Sequence, residues 1–154
     1  ELLTFTEDGS AVNHVNIENE ATGAGPIVSA AGDDTNVNLH LKAKGTGQVV
    51  AESTINAQTG TTYTTVLNDA SKLVTLSNAS AITLTIPQNS SVAYPVGTKI
   101  DFAQIGAGQV TFSPDTNVTI NSTPTLKMRA QYSGATCIKT ATNTWLLFGD
   151  LAES

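Results

Sequence analysis

Ala81-Ile82-Thr83-Leu84-Thr85-Ile86 places Ile82, Leu84 and Ile86 on one side of an extended chain and Thr83 and Thr85 on the other. A period of two is the signature of a half-buried β-strand, because successive side chains of a pleated strand point to opposite faces. Val37-Asn38-Leu39-His40-Leu41, Val110-Thr111-Phe112, Val118-Thr119-Ile120 and Leu126-Lys127-Met128 repeat the pattern. No stretch carries a convincing helical period. The best candidate is one short turn within Val66–Leu73, capped by Asn68 or Asp69 ahead of a strand at Leu73–Leu76. The chain therefore reads as all-β.

Outward from that strand, the chain divides into two textures. Residues 1–58 read as a short N-terminal β module with strands at Val12–Ile17, Pro26–Ala30, Val37–Leu41 and Gln48–Ala51. Turn clusters separate them at Ala21–Gly25, Gly32–Thr35 and Lys44–Gly47. Strands this short and thin are marginal by themselves, so this module is expected to need partners. The turn-rich Asn56–Thr62 marks the boundary.

Residues 59–154 carry longer, more apolar strands. These are Tyr63–Leu67, Leu73–Leu76, Ile82–Ile86, Lys99–Ile105, Val110–Phe112, Val118–Ile120, Leu126–Tyr132, Ala135–Lys139 and Trp145–Phe148. The regular spacing with intervening turns predicts a β-sandwich or jelly-roll-like module. Pro87, Pro95, Pro114 and Pro124 fall in connections, and Gly106-Ala107-Gly108 reads as a hairpin turn. Phe102, Phe112, Tyr132, Trp145 and Leu147 are the expected core.

Composition narrows the function. Thr, Asn, Ser and Gly supply 60 of 154 residues and only 13% are charged, which points to uncharged outer faces or to surfaces covered by copies of the chain. The net charge is −6, with basic residues scattered and few aromatics to stack on bases, so nucleic-acid binding is not expected. No apolar run approaches the roughly 20 residues of a membrane helix. The chain starts at Glu1 without a methionine, which reads as a processed product or a piece of a longer protein.

The chemical inventory is thin. Cys137, the lone cysteine, sits in a strand-like run and reads as a small buried hydrophobe. Lys44-Gly45-Thr46-Gly47 lacks the length and the Lys-Ser/Thr pair of a phosphate loop, and reads as a glycine turn. Gly32-Asp33-Asp34-Thr35-Asn36 lacks the carboxylate spacing of a calcium loop and reads as an Asx-type turn. His14 and His40 are the only histidines, each in an alternating run; in a trimer they are the candidates to meet at the axis. No serine sits in a nucleophile elbow and no carboxylate pair stands out, so neither a catalytic residue nor a cofactor is expected.

Within Val15–Val50, Asn19–Pro26 reads N-x-x-T-G-x-G-P, Gly32–Leu41 reads G-x-D-T-N-x-x-L-x-L, and Lys44–Val49 reads K-G-T-G-x-V. This succession resembles a module of tailed-bacteriophage virion structural proteins. The second part is similar to another recurrent phage module over Asp69–Leu76, Ala79–Pro87, Tyr94–Thr98, Gly106–Thr111 and Thr144–Leu151. The resemblance covers most of the chain, carries no catalytic residue, and implies a homotrimer located in the virion. Expected partners are the chain itself, other virion proteins of the tail or the major capsid protein, and a host cell-surface glycan, with no membrane and no nucleic acid.

The leading expectation is a non-enzymatic tail fibre or spike whose distal β domain contacts the host. Its candidate contact residues are Asn89, Tyr94, Asp115, Asn117 and Asn121, in loops rich in hydrogen-bonding side chains. The alternatives are a trimeric capsid decoration protein that stabilises the head and a polysaccharide depolymerase tip.

Overall fold

A computed structural model of the chain describes residues 6, 8–22 and 25–153. The chain is all-β and divides into two compact units, 1–51 and 52–154. The division falls upstream of the boundary expected after residue 58. Asn56–Gln58, read from sequence as the start of a turn-rich boundary, belong to a strand of the second unit, Ile55–Gln58.

In the first unit, β1 (Asn13–Glu18) and β2 (Ile27–Gly32) form one antiparallel ribbon, running in register from Asn13 opposite Gly32 to Glu18 opposite Ile27. Gly32 has φ of +145°, and a Cβ there would lie 2.5 Å from the Val12 carbonyl oxygen, so glycine is required where the ribbon opens. The expected strands at Val37–Leu41 and Gln48–Ala51 run without ladder partners in the single chain. Lys44–Gly47 is the turn its sequence predicts, closed by the Gly47 N–H donating to the Lys44 carbonyl at 3.0 Å.

The second unit alternates strands between two sheets. β3 (Ile55–Gln58), β5 (Leu73–Leu76) and β7 (Lys99–Gln104) pair in parallel in one; β4 (Thr62–Thr64), β6 (Ile82–Ile86) and β8 (Val110–Pro114) pair in parallel in the other. Each coil therefore contributes one strand to each sheet, which is a β-solenoid-like arrangement rather than a set of jelly-roll hairpins. The first sheet continues past β7 through β10 (Gly134–Ala141), β11 (Thr144–Gly149) and β9 (Thr119–Asn121), giving the order β3-β5-β7-β10-β11-β9. Only β7–β10 and β10–β11 are antiparallel in it.

This topology reassigns Gly106–Gly108. It is a corner between sheets and not a hairpin turn, because β7 and β8 do not pair with each other. The corner stacks on the preceding coil: Gly108 N–H donates to the Asn78 carbonyl at 2.8 Å, and Ile82 N–H donates to the Gln109 carbonyl at 2.9 Å. A Cβ on Gly108 would sit 1.9 Å from the Ser80 carbonyl oxygen, and one on Gly106 would sit 2.2 Å from that of Asn78. These two glycines let one backbone lie directly on another.

The alternating apolar residues of both sheets meet in one buried cluster, including Val74, Leu76, Ile82, Leu84, Ile86, Ile100, Phe102, Val110 and Phe112. Phe102 and Phe112 join the sheets edge to face, with centroids 5.2 Å apart. Trp145 and Leu147 are buried as expected, but Tyr132 is 76% exposed. The expected strand Leu126–Tyr132 is reduced to isolated bridges at Lys127 and Met128. Beyond them the chain turns at Ala130–Ser133, where Tyr132 has φ of +68° and its ring is carried out of the core. The short turn near Asp69 is a 3-10 helix, Leu67–Asp69.

Candidate functional site

The structure draws His14 and His40 together. Both are exposed, and both line one open hollow of about 390 Å³ in the first unit, with Asn13, Val15, Ala30 and Leu39 among its walls. β1 presents His14, while His40 comes from the unpaired stretch after the Asp33–Asn36 bend. The bend is tied down by Asn13, whose Nδ2 donates to Asp34 Oδ2 at 2.6 Å. The Asp33–Asp34 pair thus lies in a bend held from β1 by Asn13. Among the described residues no three His, Cys, Asp or Glu side chains cluster to hold a metal ion.

The five loop residues expected to contact a receptor separate into two groups. Tyr94 is a core residue: its hydroxyl donates to the Val66 carbonyl, and its ring meets Trp145 edge to face at 5.4 Å. Burial pushes its phenol well above the ordinary range. Asn89 is half-buried and committed to the fold; its N–H donates to Asn143 Oδ1 at 2.6 Å and its side-chain oxygen accepts from Lys139 Nζ. Lys139 is itself buried, donates to the Tyr94 carbonyl at 2.6 Å, and is shifted below its usual pKa by desolvation. Asp115 closes its own turn, accepting from the Thr116 N–H at 2.7 Å and the Gln88 N–H at 3.3 Å. Only Asn117, with φ of +62°, and Asn121, at the end of β9, stand exposed.

The polar cluster that sequence reading missed is internal. Asp69, 1% exposed, accepts from Asn56 Nδ2 at 2.7 Å, from the Tyr63 hydroxyl at 2.8 Å and from the Val66 N–H at 2.8 Å. Desolvation, followed by the Asp69 carboxylate, pushes the Tyr63 phenol up to about 12. A buried carboxylate with three donors ties the first coil to the second, and its bonds are spent on holding the fold. Cys137 is fully buried, and burial pushes its thiol up to about 12, which makes it a poor nucleophile.

The remaining exposed features are the outer faces of the two sheets. The three-stranded sheet sets Thr62, Thr83 and Thr111 in one row across the strands, and Thr64, Thr85 and Ser113 in the next. The outer face of the six-stranded sheet shows a different chemistry, with Ile55, Leu146 and Phe148 exposed. Beside Phe148 lies an open hollow of about 250 Å³ whose lining includes Asp101, Gly134, Thr136 and Gly149. Asp101 is fully engaged there, accepting from Thr136 Oγ1 at 2.6 Å and pairing with Lys99 Nζ at 3.0 Å. The signal for these faces was present in sequence: they are the alternate residues of strands whose inward residues were identified. Compared with known proteins, the chain matches no family model and no curated protein. No helix among the described residues is long and apolar enough to cross a membrane.

Proposed function

We propose that this chain is a non-enzymatic structural protein of a bacteriophage virion, working as a homotrimeric tail fibre or spike with a host-contacting distal β unit. The observation that carries the reading is the state of the first unit. Among the described residues of 6–51 none is buried, while Val15, Ile17, Val28, Leu41 and Val50 are each more than half exposed. A segment with this much apolar surface in water and no core of its own gains stability from association, and trimeric appendages supply it from two further copies. The phage-like motifs Asn19–Pro26, Gly32–Leu41 and Lys44–Val49 lie in this same segment. In the second unit, the two sheets around one core form a compact, sandwich-like body suited to the distal position, with Asn117 and Asn121 as the exposed receptor-contact candidates.

Light scattering on the full chain tests the assembly: the expected mass is three times 15.9 kDa. A stable monomer of 15.9 kDa would overturn the reading. Immunogold labelling of intact virions with antibody to residues 60–154 tests the location. Gold at the tail tip is the expected result; gold spread over the head would replace the fibre with a capsid decoration protein. Release of reducing sugar from host capsule would instead require a depolymerase.

A further inference from the structure

We infer that the outer face of the six-stranded sheet is where second units of neighbouring copies pack against one another; this rests on the homotrimer reading above and names its surface. The register sets two adjacent rows of unlike height on that face. Ile55, Leu73, Asp101, Thr136 and Phe148 lie side by side across β3, β5, β7, β10 and β11. The neighbouring row is Ala57, Thr75, Ala103 and Gly134. A ridge capped by Ile55 and Phe148 thus runs beside a groove of small residues, and the hollow of about 250 Å³ beside Phe148 has room for one large side chain. The ridge of one copy can enter the groove of the next, a head-to-tail contact that closes into a ring of three.

Charge points to the same occupant. Although the chain carries a net charge of −6, Lys99 and Asp101 on this face neutralise each other. Both carboxylate oxygens of Asp101 already have partners within the chain, so covering them strands no charge. Two copies meeting here bring no like charges into opposition. The other outer face, with its rows of threonine and serine, keeps hydroxyls that water satisfies and offers no comparable gain from burial.

Size fits as well. Six strands about 4.8 Å apart with two or three outward positions each make a face on the order of 500 Å². A stable interface needs about 800 Å² per partner. The sheet face supplies more than half of that area.

The test compares L146E/F148E with T83E in the full chain, by sedimentation velocity, with circular dichroism to establish folding. The expected result is that L146E/F148E lowers self-association at least tenfold while T83E leaves it unchanged. A second measurement does not depend on tolerating buried charge. Leu146→Cys and Thr83→Cys are labelled with a maleimide in the assembled protein, and Cys at 146 is expected to react at least tenfold more slowly. Equal labelling rates, or an oligomer indifferent to L146E/F148E, would overturn the assigned face while leaving the homotrimer intact. A wild-type chain that stays monomeric would overturn both.

Discussion

The two units use the same β vocabulary and reach opposite outcomes. In the second, parallel coils close two sheets over a core in which Val74, Leu76, Leu84, Ile86, Ile100 and Val110 reach zero exposure. In the first, a two-stranded ribbon leaves Val15 at 58% and Ile17 at 74% exposed. The difference lies in layering more than in residue type. A ribbon has one layer and nothing to place against its apolar side, whereas each coil of the second unit delivers a strand to both sides of the same interior.

The largest effect that can break this contrast is in the second core. Trp145 is 1% exposed and packs edge to face on Tyr94. Trp145→Ala is expected to cost about 3–5 kcal/mol, enough to abolish the folded second unit or bring it close to unfolding. Urea unfolding followed by far-UV circular dichroism measures it. A loss below about 1 kcal/mol would mean that the cluster is not a cooperative core.

The corner glycines give the next step down. Gly108→Ala sets a Cβ against the Ser80 carbonyl, a backbone atom that cannot swing away. The expected cost is about 1–3 kcal/mol, taken as a shift of urea midpoint. Gly9→Ala, where nothing lies within 4 Å of the added carbon, is the control and is expected to stay within about 0.5 kcal/mol. Equal shifts in the two variants would deny that the coils stack at this corner.

How much of this was legible in sequence follows from the range of each interaction. Leu73–Leu76 and Ile82–Ile86 match their expected spans because alternation is local. Pairing is not local: Thr83 lies between Thr62 of one coil and Thr111 of another, and no turn motif announces a parallel partner. That is why Gly106–Gly108 was read as a hairpin, which its composition also fits. Tyr94 and Asn89 read as exposed contact residues because the loop around them is polar and proline-bearing. Their burial comes from Val66, Lys139, Asn143 and Trp145, residues distant in sequence. Asp69 was visible as a helix-capping candidate, but its bonds to Asn56 and Tyr63 depend on two coils being adjacent.

A smaller effect sharpens the comparison from the first unit. Ile17→Ser removes an apolar side chain that the single chain leaves in water, so the monomer is expected to change by less than about 0.5 kcal/mol. In the assembled protein the same substitution is expected to weaken association, read as dissociation at higher protein concentration in sedimentation. Equal behaviour of wild type and variant at every concentration would mean that Ile17 contributes to neither state.

The smallest effect is electrostatic and belongs to the second unit. Arg129 makes two bonds to Asp150, at 2.6 and 2.8 Å, and the pair stands largely in solvent. The Arg129 hydrogen bond, helped by Ser133, holds the Asp150 carboxyl below its ordinary value. A carboxylate whose pKa is depressed on folding contributes stability that is fully present above its unfolded value of about 3.9 and is lost as pH falls through the folded value. Arg129→Ala is therefore expected to flatten part of the fall in stability on acidification below about pH 4, with little change at pH 7 in high salt, where exposed pairs are screened. Thermal melts of wild type and variant between pH 7 and pH 3 measure it, and a difference that grows toward low pH would contradict the sign.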